Sequence, residues 1–399
     1  MSYLNVAEVE TALALAARPE NAGFTELITL PNRTWEGRTC SALRINDGGG
    51  AGGGVYLLGG VHAREWGSPD ILINFVQVLT DAYRTGTGIT QPGVSLSAED
   101  VQFIVNNLDI IVLPQANPDG RYHSMTVDPM WRKNRRPADP GQVPCRVGGG
   151  DGPGVDLNRN YDFLWDFKKK FHPKAPVATS EDRCSAVYRG SSAASEPETA
   201  NVTWLLDQYP SVTDLIDIHS FGELILYNWG DDNHQTDDPV MNFHNPDYDD
   251  KRGFLDDTPG GDPTRYREYL PEEDRQVEHA LGTVMSDAIQ AAHGRKYTVQ
   301  NAVDLYPTSG TSDDWAYSRH FLDENKGKVR GFTIEWGPSR PLVRKSFHPD
   351  YEDMVPIIEE VTAALLAFCA ALGVPRRAAA LGVSSGASRQ TDQTAAVTG

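Results

Sequence analysis

The sequence predicts an α/β fold: one domain, with a twisted sheet covered by helices on both faces. Three observations predict it. Short apolar runs bounded by turn residues alternate with longer amphipathic segments over most of the chain, the pattern of strands buried on both faces and of the helices that bury them. Hydrophobic residues make up 39% and charged residues 23% of the 399, enough for a large core. No linker-like stretch divides residues 1–373. Residues 374–399, rich in Ala, Ser, Thr and Gly without periodicity, are expected to form a disordered tail.

In order along the chain, the segment MSYLNVAEVETALALAARPE reads as a short amphipathic helix. Strands are expected at Thr25–Leu30 and Ser41–Ile45, separated by the turn Asn32–Gly37. The glycine run Gly48 to Gly54 lacks the Lys-Ser/Thr of a phosphate-binding loop and reads as a hairpin tip. Val55–Leu58 is an apolar strand, and Pro69–Ala82 has helical spacing with proline in its first turn. Ile104 and Asp109–Leu113 read as a further buried strand. Helices follow at Glu196–Gln208, Glu273–Ala292 and Tyr351–Leu372, and strands at Leu215–Ile218 and Gly331–Trp336. The segment Asp231–Arg275 carries 14 acidic against 5 basic residues. It is expected to be a solvated surface insertion, with a cleft rim or a calcium site as the alternatives.

The net charge of −19 argues against partners such as nucleic acid or an anionic membrane, which call for a positive field. No apolar run of the roughly 18 residues needed for a membrane span occurs. The N-terminus lacks the basic start of a signal peptide, and Glu8 and Glu10 precede its only apolar stretch, Ala12–Ala17. Four cysteines without a CxxC exclude a disulfide scaffold and a thiolate zinc knuckle. Cys40 and Cys369 read as small buried hydrophobes. Cys145 and Cys184 flank one loop-rich segment and could pair.

The chemistry lies in groups placed at strand ends. In GGVHAREW, His62 and Glu65 stand three apart on a turn between a strand and a helix, at the edge where open α/β sheets place their sites. A catalytic zinc needs a third ligand and an open position, and His219, directly after the strand Leu215–Ile218, is the candidate. A histidine there could equally be a satisfied core residue; the other eight histidines read as surface residues. Amide hydrolysis also needs a carboxylate to shuttle a proton, and Glu335 ends a strand at the same edge. Arg132, in MWRKNRR, could stabilise an oxyanion. Asn158 and Arg159 offer an amide beside a guanidinium fork that suits a carboxylate. Asp156 could take the spare N–H of a zinc-bound histidine.

Taken together, HAREW, MWRKNR, GVDLNRN, IHS, LYPTSGTSDDWAY and FTIEW resemble the zinc metallocarboxypeptidases of the pancreatic carboxypeptidase A and B family, over about residues 25–370. The resemblance implies a mixed, mainly eight-stranded sheet and one zinc held by His62, Glu65 and His219. It implies Glu335 as general base and acid, with Arg132 polarising the scissile carbonyl. Asn158 and Arg159 would bind the terminal carboxylate of a peptide or protein substrate, and Tyr306 would close over it. Asp313 falls at the floor of the pocket for the terminal side chain. A carboxylate there resembles the carboxypeptidase B pattern, favouring C-terminal Lys or Arg; the alternative is that Asp313 turns toward solvent or pairs with Arg319, which would give a mixed specificity.

Pro129 replaces an arginine that several members carry, so outer subsites are expected to differ. Cys145 and Cys184 match a pair that is disulfide-bonded in secreted members, which favours an oxidising compartment, against the missing signal peptide. Too little sequence precedes the similarity for the inhibitory prodomain of the animal zymogens, and a monomer is expected. The alternatives are a zinc amidase acting on cell-wall or γ-glutamyl peptides and a catalytically silent binding protein on the same scaffold.

Overall fold

A computed structural model describes residues 2–48, 52–142, 145, 152–256 and 261–374. The expected tail falls almost wholly outside the described residues. The central sheet has eight strands: β1 (Thr25–Thr29), β2 (Ser41–Ile45), β3 (Gly54–Gly59), β4 (Asp109–Leu113), β5 (Val212–His219), β6 (Leu224–Tyr227), β7 (Thr298–Asn301) and β8 (Arg330–Glu335). Their order across the sheet is β1-β2-β4-β3-β5-β8-β6-β7. Strands β4, β3, β5 and β8 run parallel, while antiparallel pairs join β1 to β2, β2 to β4 and β6 to β8. The sheet is therefore mixed, as the resemblance implies. Its four parallel strands end along one edge.

Alternate side chains sort to the two faces, as strand geometry requires. Val55 and Leu57 of β3 join Ile110, Val112, Ile216, Ile218, Phe332 and Ile334 in one core, whereas Tyr56 and Leu58 join Ile111, Leu113 and Leu215 in the other. The first core is covered by α1 (Val6–Ala16), α2 (Gly67–Thr85), α3 (Ala98–Asn107) and two later helices, Glu272–His293 and Tyr351–Gly373. Residues of Pro197–Gln208 and Ser312–Leu322 cover the second. Fully burying each such aliphatic or aromatic side chain contributes about 1.5–3 kcal/mol. Tyr351–Gly373 is long and apolar enough to cross a membrane, but it is mostly buried and packs against Glu272–His293 and α2.

Several expectations need correcting. The glycine run joins β2 to β3, which are not paired, because β4 lies between them; it is no hairpin tip, and residues 49–51 fall outside the described part. Ile104 belongs to α3, whose start is fixed by a capping box in which the Ser97 hydroxyl accepts from the Asp100 N–H and the Asp100 carboxylate accepts from the Ser97 N–H. The acidic segment is mostly loop, as expected, apart from the short parallel pair His234–Gln235 with Glu268–Tyr269 and the start of the helix Glu272–His293, but it is not simply solvated. Arg252, Asp231, Asp232 and Glu268 are all buried within it. Four-residue β6 and β7 and the helix Ser312–Leu322 (called α4 below) were not anticipated.

Candidate active site

The parallel edge gathers the predicted residues. Gly60 has a positive φ of 63°, and a Cβ there would come within 2.9 Å of Gln115 Cα and Pro114 O just past β4. Glycine thus lets the chain turn sharply out of β3 into His62–Trp66. That turn is held on several sides: Ala63 N–H donates to Arg132 O (2.9 Å), buried Arg121 donates to Trp66 O (3.0 Å), and Trp66 Nε1–H donates to Ser124 Oγ (2.9 Å). His219 is the last residue of β5, and Glu335, the last of β8, is its register partner.

His62, Glu65 and His219 converge, all buried, with ligand atoms within 4.8 Å of one another. His62 Nδ1 lies 2.8 Å from Glu65 Oε1, and His219 Nδ1 lies 3.0 Å from Glu65 Oε2 and 2.9 Å from His62 Nδ1. The opposite ring nitrogens each meet a carboxylate: His62 Nε2 is 3.1 Å from Asp156 Oδ1, and His219 Nε2 is 2.9 Å from Asp217 Oδ2. Protons held on the Nε2 sides leave two Nδ1 lone pairs facing each other and a carboxylate, an arrangement that calls for a cation. Tetrahedral ligand atoms about 2.0–2.1 Å from zinc lie about 3.3 Å apart, so small adjustments would admit the ion. Two imidazoles and one carboxylate are a donor set that suits zinc, and the site fits the metal.

Asp156 organises the neighbouring cations. Besides His62 it meets Arg132, whose Nε and Nη2 lie 3.0 and 2.9 Å from Oδ2, and it accepts the Asn158 N–H (3.1 Å). Burial opposes its ionisation, but Arg132 and then His62 outweigh this and hold its carboxyl well below the ordinary range. Arg159 is buried; its Nε donates to Ala178 O (2.5 Å) and its Nη1 to Asn158 O (2.5 Å). It forms no ion pair with a carboxylate among the described residues. Asn158 Nδ2 lies 3.5 Å from His219 Nε2. Glu335 accepts no hydrogen bond from the described residues. Burial, reinforced by Glu65, pushes its carboxyl up to about 8, against the pull of His219 and Arg132.

Asp313 sits in the first turn of α4, buried, where its Oδ2 accepts from Thr333 Oγ1 (2.8 Å) and its Oδ1 from the Asp314 N–H (2.9 Å). Arg319 pairs with Asp207, so the Asp313–Arg319 pairing weighed as an alternative does not form. Tyr306 is on a loop and 40% exposed. Cys145 and Cys184 are joined in a disulfide with Cα atoms 5.3 Å apart. His348, expected at the surface, is instead buried: its ring stacks on Trp66 (4.1 Å), and its Nδ1–H donates to Arg64 O (3.0 Å). Sequence reasoning missed Asp217, although its D-x-H spacing on a strand was a usable signal.

This fold and this convergence of ligands define a metallohydrolase of the α/β class. The zinc carboxypeptidase family profile matches residues 14–364, and the chain belongs to that family of metal-dependent exopeptidases acting on peptide C-termini. Among curated relatives, carboxypeptidase B of Astacus astacus is 30% identical over 306 residues, 76% of this chain and 76% of its own. Zinc carboxypeptidase A 1 of Drosophila melanogaster is 27% identical over 87% of this chain and 64% of its own, and carboxypeptidase B of Bos taurus 28% over 78% and 61%. The chain thus spans about three quarters of the Astacus astacus protein and somewhat under two thirds of the other two. Among solved structures, bovine thrombin-activatable fibrinolysis inhibitor bound to tick carboxypeptidase inhibitor has a TM-score of 0.65 at 20% identity, covering 93% of this chain and 97% of that one. Carboxypeptidase A of Helicoverpa armigera scores 0.61 at 24%, covering 92% and 74%. These two likenesses bear on the fold alone.

Proposed function

We propose that the protein removes single residues from peptide C-termini by zinc-dependent hydrolysis and prefers terminal Lys or Arg. The observation that carries the exopeptidase reading is Arg159, a buried guanidinium without a carboxylate partner among the described residues, beside Asn158. A buried unpaired charge is costly, and the carboxylate of a chain terminus would satisfy it in bidentate fashion. The basic preference is supported by Asp313, a buried carboxylate with hydroxyl and amide donors but no cation among the described residues. A terminal ammonium or guanidinium would relieve it; an apolar side chain would not.

His62, Glu65 and His219 would hold a zinc ion, which would supply Lewis acidity for the carbonyl and activate water for attack. Glu335 takes a proton from the attacking water and returns it to the nitrogen of the leaving amine as the C–N bond breaks. Arg132, oriented by Asp156, donates to the oxygen on which negative charge develops. Asn158 and Arg159 hold the terminal carboxylate, and Tyr306, exposed on its loop, closes over it. The Cys145–Cys184 disulfide supports an oxidising compartment for the protein.

The test uses peptides identical except for a C-terminal Arg, Lys, Leu, Phe or Glu, with residue release followed by mass spectrometry. Selective release of Arg and Lys is expected. Preferential release of Leu or Phe would overturn the specificity, and release from none would overturn the exopeptidase reading.

A further inference from the structure

The second metal-facing histidine has a carboxylate of its own, and its surroundings extend beyond the metal centre. Asp217 precedes His219 by two residues on β5, so both side chains leave the same face of the strand. It is fully buried, in the middle of an eight-stranded sheet. Its Oδ2 lies 2.9 Å from His219 Nε2 and also accepts from Ser312 Oγ (2.6 Å); its Oδ1 has no partner among the described residues. Ser312 opens α4, directly before Asp313, and its N–H donates to Asn158 Oδ1 (2.9 Å). Across the strand pair, Asp217 is in register with Thr333, whose hydroxyl donates to Asp313.

We propose that Asp217 is a positioning residue: it fixes the tautomer and orientation of His219 for metal binding, and it ties that histidine through Ser312 to the helix that carries Asp313. A buried carboxylate costs several kcal/mol unless something compensates it, and any β-branched apolar residue would suit a central strand better. What a carboxylate does here, and an apolar residue cannot, is hold a proton on Nε2 so that Nδ1 presents a lone pair to a cation. The same oxygen is gripped by Ser312, so His219, Asp217, Ser312 and Asn158 form one connected set. A shift of α4 when the terminal side-chain pocket fills would reach the metal ligand through two contacts. The proposal rests on the reading of His62, Glu65 and His219 as the metal site, and it does not require any particular peptide specificity.

The test is Asp217→Asn in the full chain, read first by zinc affinity in competition with a chromophoric chelator. Asparagine keeps the size of the side chain but can offer an N–H to Nε2, favouring the wrong tautomer, much as an Asp-to-Asn change does in a catalytic triad. Zinc affinity is expected to fall about 10–100-fold, the range for losing such an outer partner. In the zinc-loaded protein, with Nδ1 on the metal, the His219 Nε2–H resonance followed by proton–nitrogen-15 NMR should move upfield in the variant, because its charged acceptor becomes a neutral amide. Zinc affinity within threefold of the parent, or an unmoved resonance, would overturn the proposal. Should the asparagine variant fail to fold, Ser312→Ala carries the test, since it keeps the charge and frees one side of Asp217: affinity should fall several-fold, and unchanged affinity overturns the link to α4. A parent that binds zinc but cleaves no peptide would sink the exopeptidase reading while leaving the zinc comparison decisive for Asp217.

Discussion

Glu335→Gln tests the proton transfer proposed for this carboxylate apart from everything else in the site. The carboxylate accepts no hydrogen bond from the described residues, and its backbone stays paired with His219 and Leu224 through β5 and β6. The amide is isosteric, so nothing holding Asn158, Arg159 or the metal ligands is disturbed. A positioned general acid–base contributes about 10²–10⁴-fold, or about 3–5 kcal/mol of barrier. The expected result is a fall in kcat of that size, with KM within about threefold and zinc content unchanged, measured with a chromogenic C-terminal substrate and by metal analysis. A second readout follows from charge. Burial raises the metal-free carboxyl to about 8 from a usual 4.5, so the folded state holds that proton more tightly than the unfolded chain does. The group is neutral and harmless below about pH 4.5 and increasingly destabilising as pH rises towards 8. In chelator, the Gln variant should therefore melt like the parent at pH 4 and above it at pH 8. A kcat within tenfold of the parent would refute the assignment of Glu335.

Other changes test the remaining parts. Arg159→Ala removes a charge-assisted fork worth about 1.5–3 kcal/mol; KM for free-acid peptides should rise roughly 10–100-fold, with little change for C-terminally amidated peptides. Asp313→Ala should lower kcat/KM for terminal Arg about 100-fold and leave terminal Leu unchanged or improved; an unaltered Arg-to-Leu ratio would remove Asp313 from the pocket. Replacing Cys145 and Cys184 by serine frees a segment of 39 residues in the unfolded chain, which the chain-entropy relation puts at about 4 kcal/mol. Calorimetry should show a melting point lower by several degrees, and an unchanged one would count against the disulfide as a stabilising element.

What was legible in the sequence has a physical pattern. Strands β3, β5 and β8 are buried on both faces, so they read as apolar runs, and the chemistry at their ends stands out because it interrupts them. The C-terminal helix is legible for the same reason. By contrast, β6 and β7 are four residues each and lie towards one end of the sheet, where Thr298–Asn301 is mostly polar and needs only one covered face. Helix α4 buries Asp313, Asp314 and Ser312, so a helix with polar residues on its inner side shows no clean amphipathic stripe. Tyr306 is a loop tyrosine by any local criterion. Asp217 could have been found: an acid two residues before a strand-end histidine faces the same way as that histidine.

The acidic segment shows why counting charges misleads. Its surplus of acids suggests solvent, yet its organising group is a buried cation. Arg252 donates to Lys170 O (3.2 Å), Tyr248 O (2.9 Å) and Asn242 O (3.0 Å), lies over the Tyr266 ring at 4.7 Å, and has Asp249, Asp231 and Glu268 oxygens at 3.6, 3.8 and 3.9 Å. One guanidinium therefore folds the loop around itself by satisfying carbonyls that no regular element would pair. Arg252→Ala should cost about 3–5 kcal/mol, because it strands these carbonyls and leaves buried carboxylates uncompensated. The loss should also depend on pH. Burial lifts Glu268 to about 7 while Arg252 pulls it down, so without Arg252 its folded pKa rises further. In acid the carboxyl is protonated in both proteins and the charge penalty is absent; as pH rises from about 4.5 through 7 the penalty grows more steeply in the variant. Denaturant unfolding at pH 5 and pH 8 should therefore give the larger difference at pH 8. An equal loss at both values would mean that Arg252 acts through its carbonyl contacts alone.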